Sequence, residues 1–255
     1  MRLHDKVAIV TGGDTGIGKA IAARMAREGA SVVIDYHGDA EPATALVEEI
    51  ENFGGRAYAV AADISKADEV DELVKAAVVH FGQLDVLVNN AGVEEKHPFL
   101  EMPLEVWKKV IAIDLTGPWL CSQRAAQQMV HQRAGGRIIN ISSVHEDITM
   151  PTNAPYCAAK GGLRMLMRTI AVELAPHGIT VNNVCPGAVD TPMDARLERS
   201  PKQYEALLDE IPLHRMGKPE EVASMCVYLA SEEASYVTGA SFIIDGGMTK
   251  QSGSL

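Results

Sequence analysis

The chain has 255 residues, of which 47% are hydrophobic, and its formal net charge is −11. This length and composition predict one folded domain spanning residues 1–255 with a sizeable core, and they exclude a disordered chain. The acidic balance argues against a nucleic-acid partner, and no apolar run approaches the roughly 20 residues that a membrane span needs.

The start of the chain and its cysteines indicate a cytoplasmic location. Residues 1–6 are charged and lead straight into an apolar run, so no signal peptide is expected. The 4 cysteines are scattered without a C-x-x-C spacing. They are therefore predicted to be reduced core residues, and no metal site is expected.

Short apolar runs alternate with helix-length segments along the chain. The predicted strands are 7–10, 31–35, 57–61, 86–89, 137–141, 179–184 and 241–245. The predicted helices are 19–28, a segment between Pro42 and Gly54, 66–81, 103–132, one that carries Tyr156, and 219–230. This alternation predicts an α/β fold: a single-domain Rossmann-type, doubly wound parallel sheet with helices on both faces.

The stretch 188–217 is the irregular part of the chain and contains Pro192, Pro201 and Pro212. A connection of that length inside a compact domain is usually functional. We expect it to form a substrate lid.

A glycine-rich turn follows the first strand, with the spacing G-x-x-x-G-x-G. Gly12, Gly16 and Gly18 permit a tight turn and a close approach of a pyrophosphate, and Ile17 lies between the last two. The amides and dipole of the following helix favour an anion. This turn is predicted to bind a nucleotide.

Acidic residues near this turn favour NAD over NADP. Asp35 ends the second strand, where a carboxylate can accept hydrogen bonds from an adenosine ribose, and Asp14 lies in the glycine turn. A 2′-phosphate would meet two carboxylates and no arginine, with Lys19 the nearby cation that weakens this preference. The alternative is that Asp35 stands one residue early and points away. Asp63 is a candidate for the adenine amine or an ordinary helix cap.

A possible proton-transfer site involves Tyr156 and Lys160, which share one helix face. Ser142 and Ser143 close the fifth strand, so a hydroxyl, a phenol and an ammonium can meet at one end of the sheet. Asn90 and Gly92 follow the fourth strand and border the expected cofactor pocket.

Taken together, these motifs resemble the short-chain dehydrogenase/reductase family over essentially the whole chain. The residues that carry the resemblance are Thr11-Gly12-x-x-x-Gly16-Ile17-Gly18, Asn89-Asn90-Ala91-Gly92, Ser143, Tyr156-x-x-x-Lys160 and Pro186-Gly187. Within the family, the segments 142–146 and 236–249 look most like glucose 1-dehydrogenases.

The resemblance implies hydride transfer between a nicotinamide cofactor and a carbinol or carbonyl carbon. It makes Tyr156 the general acid–base, with a pKa lowered by Lys160 and by the positive nicotinamide, and it makes Ser143 the partner of the substrate oxygen. Lys160 would also bind the nicotinamide ribose. Further cofactor residues implied by the resemblance are Pro186, Gly187, Val189 and Thr191, the last of these at the carboxamide.

One catalytic position departs from the family pattern. The family usually has an asparagine in an Asn-x-x-Gly setting of the long central helix, where it holds a water that links the lysine to solvent. This chain has Asp114 there, three residues before Gly117. An ionised Asp114 would compete for Lys160 and weaken its pull on Tyr156, so we expect reduced or pH-shifted activity.

The substrate stays open between a sugar or polyol and a hydrophobic ketone or 3-oxoacyl thioester. Glu94, His145 and Glu146 could bind hydroxyl groups, whereas Met150, Met193 and Leu197 could line an apolar pocket. An acyl-carrier protein would need a basic docking patch, for which Arg124, Arg133 and Arg137 are candidates. A non-catalytic nucleotide-binding regulator is a further alternative. The resemblance also implies a homotetramer.

Overall fold

The computed structural model describes residues 1–192 and 200–250. Seven parallel strands form one sheet in the order β3-β2-β1-β4-β5-β6-β7. Their bounds are Val7–Val10 (β1), Ser31–Tyr36 (β2), Arg56–Ala61 (β3), Val86–Asn89 (β4), Gly136–Ile141 (β5), Ile179–Pro186 (β6) and Ser241–Ile244 (β7). The predicted doubly wound parallel sheet is confirmed.

Helices connect the strands and cover both faces of the sheet. Their bounds are Gly16–Arg27 (α1), Glu41–Asn52 (α2), Ala67–Phe81 (α3), Leu104–Ile111 (α4), Gly117–Gln132 (α5), Ala154–Leu174 (α6), Pro201–Asp209 (α7) and Pro219–Ala230 (α8). Within the described residues, no helix combines the length and the apolarity that crossing a membrane requires.

The five inner strands bury both of their faces, because helices pack on either side, whereas the edge strands β3 and β7 stay partly exposed. In β1, Ala8 and Val10 face a core shared with α1, α2 and α8, whereas Val7 and Ile9 face a core shared with α3, α5 and α6. This double burial explains why the central strands are continuous apolar runs without alternation.

The predicted long helix 103–132 is interrupted by a π-helical turn, Ala112–Thr116. The cause is Pro118 near the start of α5. A proline inside a helix lacks an N–H and clashes with the carbonyl four residues earlier, which here is that of Asp114. The wider turn accommodates the proline and re-aims the side chains around Asp114, as π-turns often do at functional sites.

The stretch 188–217 is more regular than predicted, because α7 lies within it. The sequence signal was Ser200-Pro201, a favoured pair at the cap and first position of a helix. Residues 193–199 of the predicted lid, including Met193 and Leu197, lie outside the described residues.

Candidate active site

A cavity of about 1310 Å³ runs along the carboxyl ends of the strands. The strand order reverses between β1 and β4, so the connections leave this point in opposite directions. In open α/β sheets the crevice at such a reversal is where ligands bind. Of the predicted site residues, the cavity wall contains Gly12, Asp14, Gly16, Ile17, Asp35, Asp63, Asn90, Gly92, Glu94, Asp114, Ser143, His145, Tyr156, Lys160, Pro186, Gly187, Val189 and Thr191.

Gly18 is the predicted loop residue that lies behind this wall instead of on it. A Cβ at Gly18 would stand 2.1 Å from the carbonyl oxygen of Gly12 and 2.5 Å from Nδ2 of Asn90. Gly12 itself has φ of +55°, in the left-handed region that glycine adopts readily. Gly18 therefore lets α1 pack against the loop, while Gly12 and Gly16 shape the surface that faces a ligand.

Asn90 fastens the end of β4 to the loop after β1. Its side-chain amide donates to the carbonyl oxygens of Thr11 and Gly12, at 2.9 Å each. The Thr11 hydroxyl oxygen accepts in turn from the backbone N–H groups of Asn90 and Ala91. The asparagine holds the glycine loop in shape and forms part of the cavity wall.

Asp35 lies beneath the glycine loop. It is 2% exposed, and its Oδ2 accepts the backbone N–H of Gly12 at 3.0 Å. This placement matches the alternative in which the residue stands one position early and points away from the ribose. The pKa of Asp35 is raised to about 7, mainly by burial and to a lesser degree by the carboxylates of Asp14 and Asp63, against the Gly12 hydrogen bond, which lowers it.

The adenosine end of the cavity is acidic. The Asp63 carboxylate accepts from the backbone and hydroxyl groups of Ser65, at 3.0 and 2.6 Å, and thereby shapes the turn before α3. Lys19, the cation expected to weaken the predicted NAD preference, lies 3.7 Å from Glu49. Its charge is thus shared with a carboxylate on α2.

A ladder of buried amides crosses the sheet just below the site, and sequence reasoning found only its first member. Asn89 donates to Asn140, Asn140 donates to Asn183, and Asn183 donates to Glu146, at 2.8, 2.9 and 2.8 Å. The sequence signal for the other two, Asn140 and Asn183, was an asparagine within an apolar strand run. Ser241 of β7 donates to the same glutamate.

Glu146 was therefore wrongly grouped with the substrate-binding residues. Its side chain is 2% exposed and accepts hydrogen bonds from two strands. Its backbone N–H donates to the carbonyl of Ser143 at 3.0 Å, which closes the short turn after β5. Its role is to anchor the loop that carries Ser143.

Ser143, Tyr156 and Lys160 meet at one wall of the cavity, as predicted from their spacing. Nζ of Lys160 lies 5.3 Å from the centre of the Tyr156 ring and donates to the carbonyl of Ile141 at 3.2 Å. The hydroxyl of Ser143 lies near enough to the phenol to lower the pKa of Tyr156. Ser143 Oγ also accepts the backbone N–H of His145, at 3.2 Å, which fixes its position.

The pKa of Tyr156 is expected from the sequence to be lowered. The groups of the chain itself, taken together, raise it instead, so for these groups the expectation is wrong. Burial raises the pKa of Tyr156, and Lys160 and Ser143 oppose this without overcoming it. Asp114 and Glu94 raise it further. Desolvation of the charged form, which the sequence does not reveal, outweighs one neighbouring cation.

Asp114 is fully buried on the π-helical turn and lies directly beside the catalytic lysine. Its Oδ1 accepts the Val93 N–H at 2.9 Å, and its Oδ2 lies 3.4 Å from Nζ of Lys160. Burial raises the pKa of Asp114, against the effect of Lys160. Burial lowers the pKa of Lys160, but Asp114, together with the smaller effects of Tyr156 and Cys185, raises it, and the net direction is upward.

The substrate end of the cavity holds polar and apolar groups side by side. Glu94 is partly buried and lies 3.0 Å from Nζ of Lys96. Nδ1 of His145 lies 3.3 Å from the carbonyl oxygen of Ile148 and must donate to it. Burial lowers the pKa of His145, so the neutral ring offers Nε2 as an acceptor. Met150 lines the same end.

The shape of the cavity fits a dinucleotide. A Cβ at Gly12 would stand 3.0 Å from Cα of Ala91, and one at Gly187 would stand 2.8 Å from Cβ of Asp245, so glycine at these positions lets neighbouring segments of the cavity wall pack closely. Pro186, Gly187, Val189 and Thr191 line the side that follows β6. A groove of this kind passes from the glycine loop to Tyr156, and its residues could hold both ends of such a cofactor.

This groove, with its glycine loop and its serine, tyrosine and lysine, defines an oxidoreductase, and the chain belongs to the short-chain dehydrogenase/reductase family. The family model described as enoyl-(acyl carrier protein) reductase matches residues 12–249.

Characterised relatives share nearly the full length of the chain. Glucose 1-dehydrogenase 2 of Bacillus subtilis is 45% identical over 251 residues, which cover 97% of this chain and 96% of that protein. A 3-oxoacyl-[acyl-carrier-protein] reductase of Synechocystis is 45% identical over 96% of this chain and 98% of that protein. The crystal structure of acetoin dehydrogenase from Enterobacter cloacae has a TM-score of 0.89 and 42% identity, with 98% of each chain covered.

Proposed function

We propose that this oxidoreductase acts on the carbinol carbon of a sugar or polyol and prefers NAD to NADP. The observation that carries the proposal is the convergence of Ser143, Tyr156 and Lys160 on a groove that begins at the glycine loop. The cofactor, when bound, supplies the hydride acceptor. The chain's own residues position the substrate and move its proton.

Each catalytic side chain has a role that follows from its contacts. Ser143 Oγ is held by the His145 amide and can donate its hydroxyl hydrogen to the substrate oxygen. Tyr156 removes the proton of the substrate hydroxyl as general base. Nζ of Lys160 lies 5.3 Å from the centre of the Tyr156 ring, and its positive charge stabilises the phenolate. Asp114 weakens that stabilisation because its carboxylate interacts with the same ammonium group.

The preference for NAD rests on charge at the adenosine end. Asp14 and Asp63 line the groove there, and Lys19 is paired with Glu49. A 2′-phosphate would add negative charge beside two carboxylates, which disfavours NADP. The ratio of kcat/KM for the two cofactors measures this preference directly.

The sugar assignment rests on the hydrogen-bonding groups beside Ser143. Glu94 accepts hydrogen bonds from hydroxyls, and the neutral His145 ring offers an acceptor next to it. The B. subtilis relative carries the name of a glucose dehydrogenase, in keeping with this assignment.

A second candidate is a ketone or 3-oxoacyl thioester reductase, which Met150 and Leu207 on the same wall favour. A thioester carried by an acyl-carrier protein is disfavoured, because arginines of the candidate docking patch are already paired with carboxylates. Arg124 lies 2.6 Å from Asp71, and Arg137 lies 3.3 Å from Glu232, so their charges are already paired. A non-catalytic regulator is disfavoured because all three catalytic side chains line one cavity.

We further propose a homotetramer that works in the cytoplasm. Large apolar side chains stay exposed on the helices that family members pair between subunits: Trp107, Trp119, Met165 and Val172. Tyr236 and Ile243 are exposed near the last strand, where a further interface is expected. Light scattering coupled to size-exclusion chromatography tests this, and a monomer at micromolar concentration would contradict it.

Absorbance at the nicotinamide band distinguishes the candidate functions. Steady formation of NADH with glucose or another aldose supports the first, and turnover only with a reduced cofactor and a ketone supports the second. Tight cofactor binding without turnover across a broad panel supports the regulator.

The Tyr156→Phe variant should bind NAD as the parent does and lose at least about 100-fold in kcat, because general base catalysis contributes roughly that much. Calorimetric titration measures the binding. Unchanged turnover would overturn the proposed mechanism.

A further inference from the structure

A buried carboxyl group lies directly under the glycine loop, and the mechanism above gives it no role. Asp35 Oδ2 accepts the Gly12 N–H at 3.0 Å, and its main-chain carbonyl accepts the Gly13 N–H at 2.8 Å. Its Oδ1 has no hydrogen-bond partner within the part of the chain that the structure describes. One residue therefore holds two successive loop amides from below.

The groups that act on this carboxyl are acidic or neutral. Asp14 faces it from the glycine loop and Asp63 from the turn after β3. Cys121 of α5 lies close enough that the charge of Asp35 raises the pKa of its thiol, after the larger effect of burial. Burial of Asp35 without a cation beside it raises the pKa of the carboxyl to about 7, so its charge changes near neutral pH.

We propose that Asp35 is a positioning residue that must be protonated for tight dinucleotide binding, so that cofactor affinity falls as pH rises through neutrality. This inference rests on the dinucleotide site of the proposed function. A pyrophosphate at a glycine loop is held by the loop amides and the helix N-terminus. An ionised Asp35 holds the Gly12 N–H more strongly than the neutral acid does, and it repels the anion, whereas the neutral acid carries no charge to repel it.

The coupling is reciprocal, because anything that binds the protonated form more tightly also promotes protonation. NAD binding to the wild-type protein near pH 7.5 should therefore take up about half a proton, the amount that accompanies a roughly tenfold change in affinity. Affinity at pH 8.5 should be roughly tenfold weaker than at pH 5.5, the order expected for a unit charge about 10 Å away at an effective dielectric constant of about 20.

Isothermal titration with NAD, from pH 5.5 to 8.5 at constant ionic strength, measures the affinity. Repeating it in two buffers of different ionisation enthalpy counts the protons. The Asp35→Asn variant keeps an oxygen for the Gly12 amide and removes the charge, so it should bind with flat affinity and no proton uptake. Asp85→Asn is the matched control, because Asp85 is also buried and accepts a backbone N–H, that of Val7 at 2.8 Å, but lies outside the cavity wall; it should keep the wild-type pH dependence.

The outcomes separate this inference from the proposed function. NAD binding to the wild type with flat affinity and no proton uptake would overturn the role of Asp35 alone. A pH dependence that survives in Asp35→Asn would do the same. Failure to bind NAD at every pH would overturn the proposed function as well. If Asp35→Asn does not fold, the proton count in the wild type decides.

Discussion

Replacing Asp114 with asparagine tests how this chain sets the acidity of Tyr156. Asp114 is fully buried, and its Oδ2 lies 3.4 Å from Nζ of Lys160, which itself lies 5.3 Å from the centre of the Tyr156 ring. Asparagine keeps the oxygen that accepts the Val93 amide and removes the charge. The ammonium of Lys160 then acts on Tyr156 without a competing carboxylate.

The magnitude follows from these distances. They place the carboxylate within about 9 Å of the ring, where a unit charge acts with roughly 2 kcal/mol at an effective dielectric constant of about 20. Since 1.36 kcal/mol corresponds to one pH unit, the rise of kcat with pH should move about 1.5 pH units lower in Asp114→Asn. The direction follows because Asp114 raises the pKa of Tyr156.

The assay is kcat for alcohol oxidation from pH 5 to 10 at saturating cofactor and substrate. Asp85→Asn is the matched control: Asp85 is also buried and accepts a backbone N–H, that of Val7 at 2.8 Å, but it lies at the opposite edge of the sheet. It should leave the profile in place. If Asp114→Asn and the parent have superimposable profiles while both stay folded, the electrostatic role of Asp114 is refuted.

Two further predictions concern the glycine loop. Gly18→Ala should abolish NAD binding and lower the Tm, because the new Cβ would stand 2.1 Å from the carbonyl oxygen of Gly12. Gly161→Ala is the control and should be tolerated, because the nearest atom to its Cβ lies 3.9 Å away. The pKa of Asp35 is raised from 3.8 to about 7, so the folded protein binds this proton more tightly than the unfolded chain does. The free energy of unfolding should therefore fall by about 4 kcal/mol as the pH rises from 3.8 to about 7. Asp35→Asn should remove this loss, so it should raise the Tm relative to the parent more at pH 8 than at pH 5. An equal or smaller rise at pH 8 would contradict the prediction.

Much of the fold followed from periodicity and punctuation alone. The strands Val7–Val10 and Val86–Asn89 and the helix Pro219–Ala230 have the bounds expected from the sequence. Apolar runs of strand length between helical segments admit few arrangements other than a parallel sheet. Ser200-Pro201 begins a helix inside the stretch 188–217, which was expected to be irregular.

Part of the candidate site, like part of the fold, could also be predicted from the sequence. The spacing of Ser143, Tyr156 and Lys160 and the glycines of the loop could be placed from the sequence, because the ends of parallel strands meet at one edge of the sheet. The sequence also singled out Asp114 as a departure. Chemistry that depends on residue type and strand order was therefore within its reach.

Only the tertiary structure decided which way each acidic side chain points and how deeply it is buried. Asp35 lies under the loop, Glu146 joins an amide ladder, and Tyr156 is surrounded so closely that burial raises its pKa in spite of Lys160. The free energy of a charge depends on the solvent it loses and on the partners it gains across the fold. Those quantities arise from contacts between distant segments, which a linear pattern does not contain.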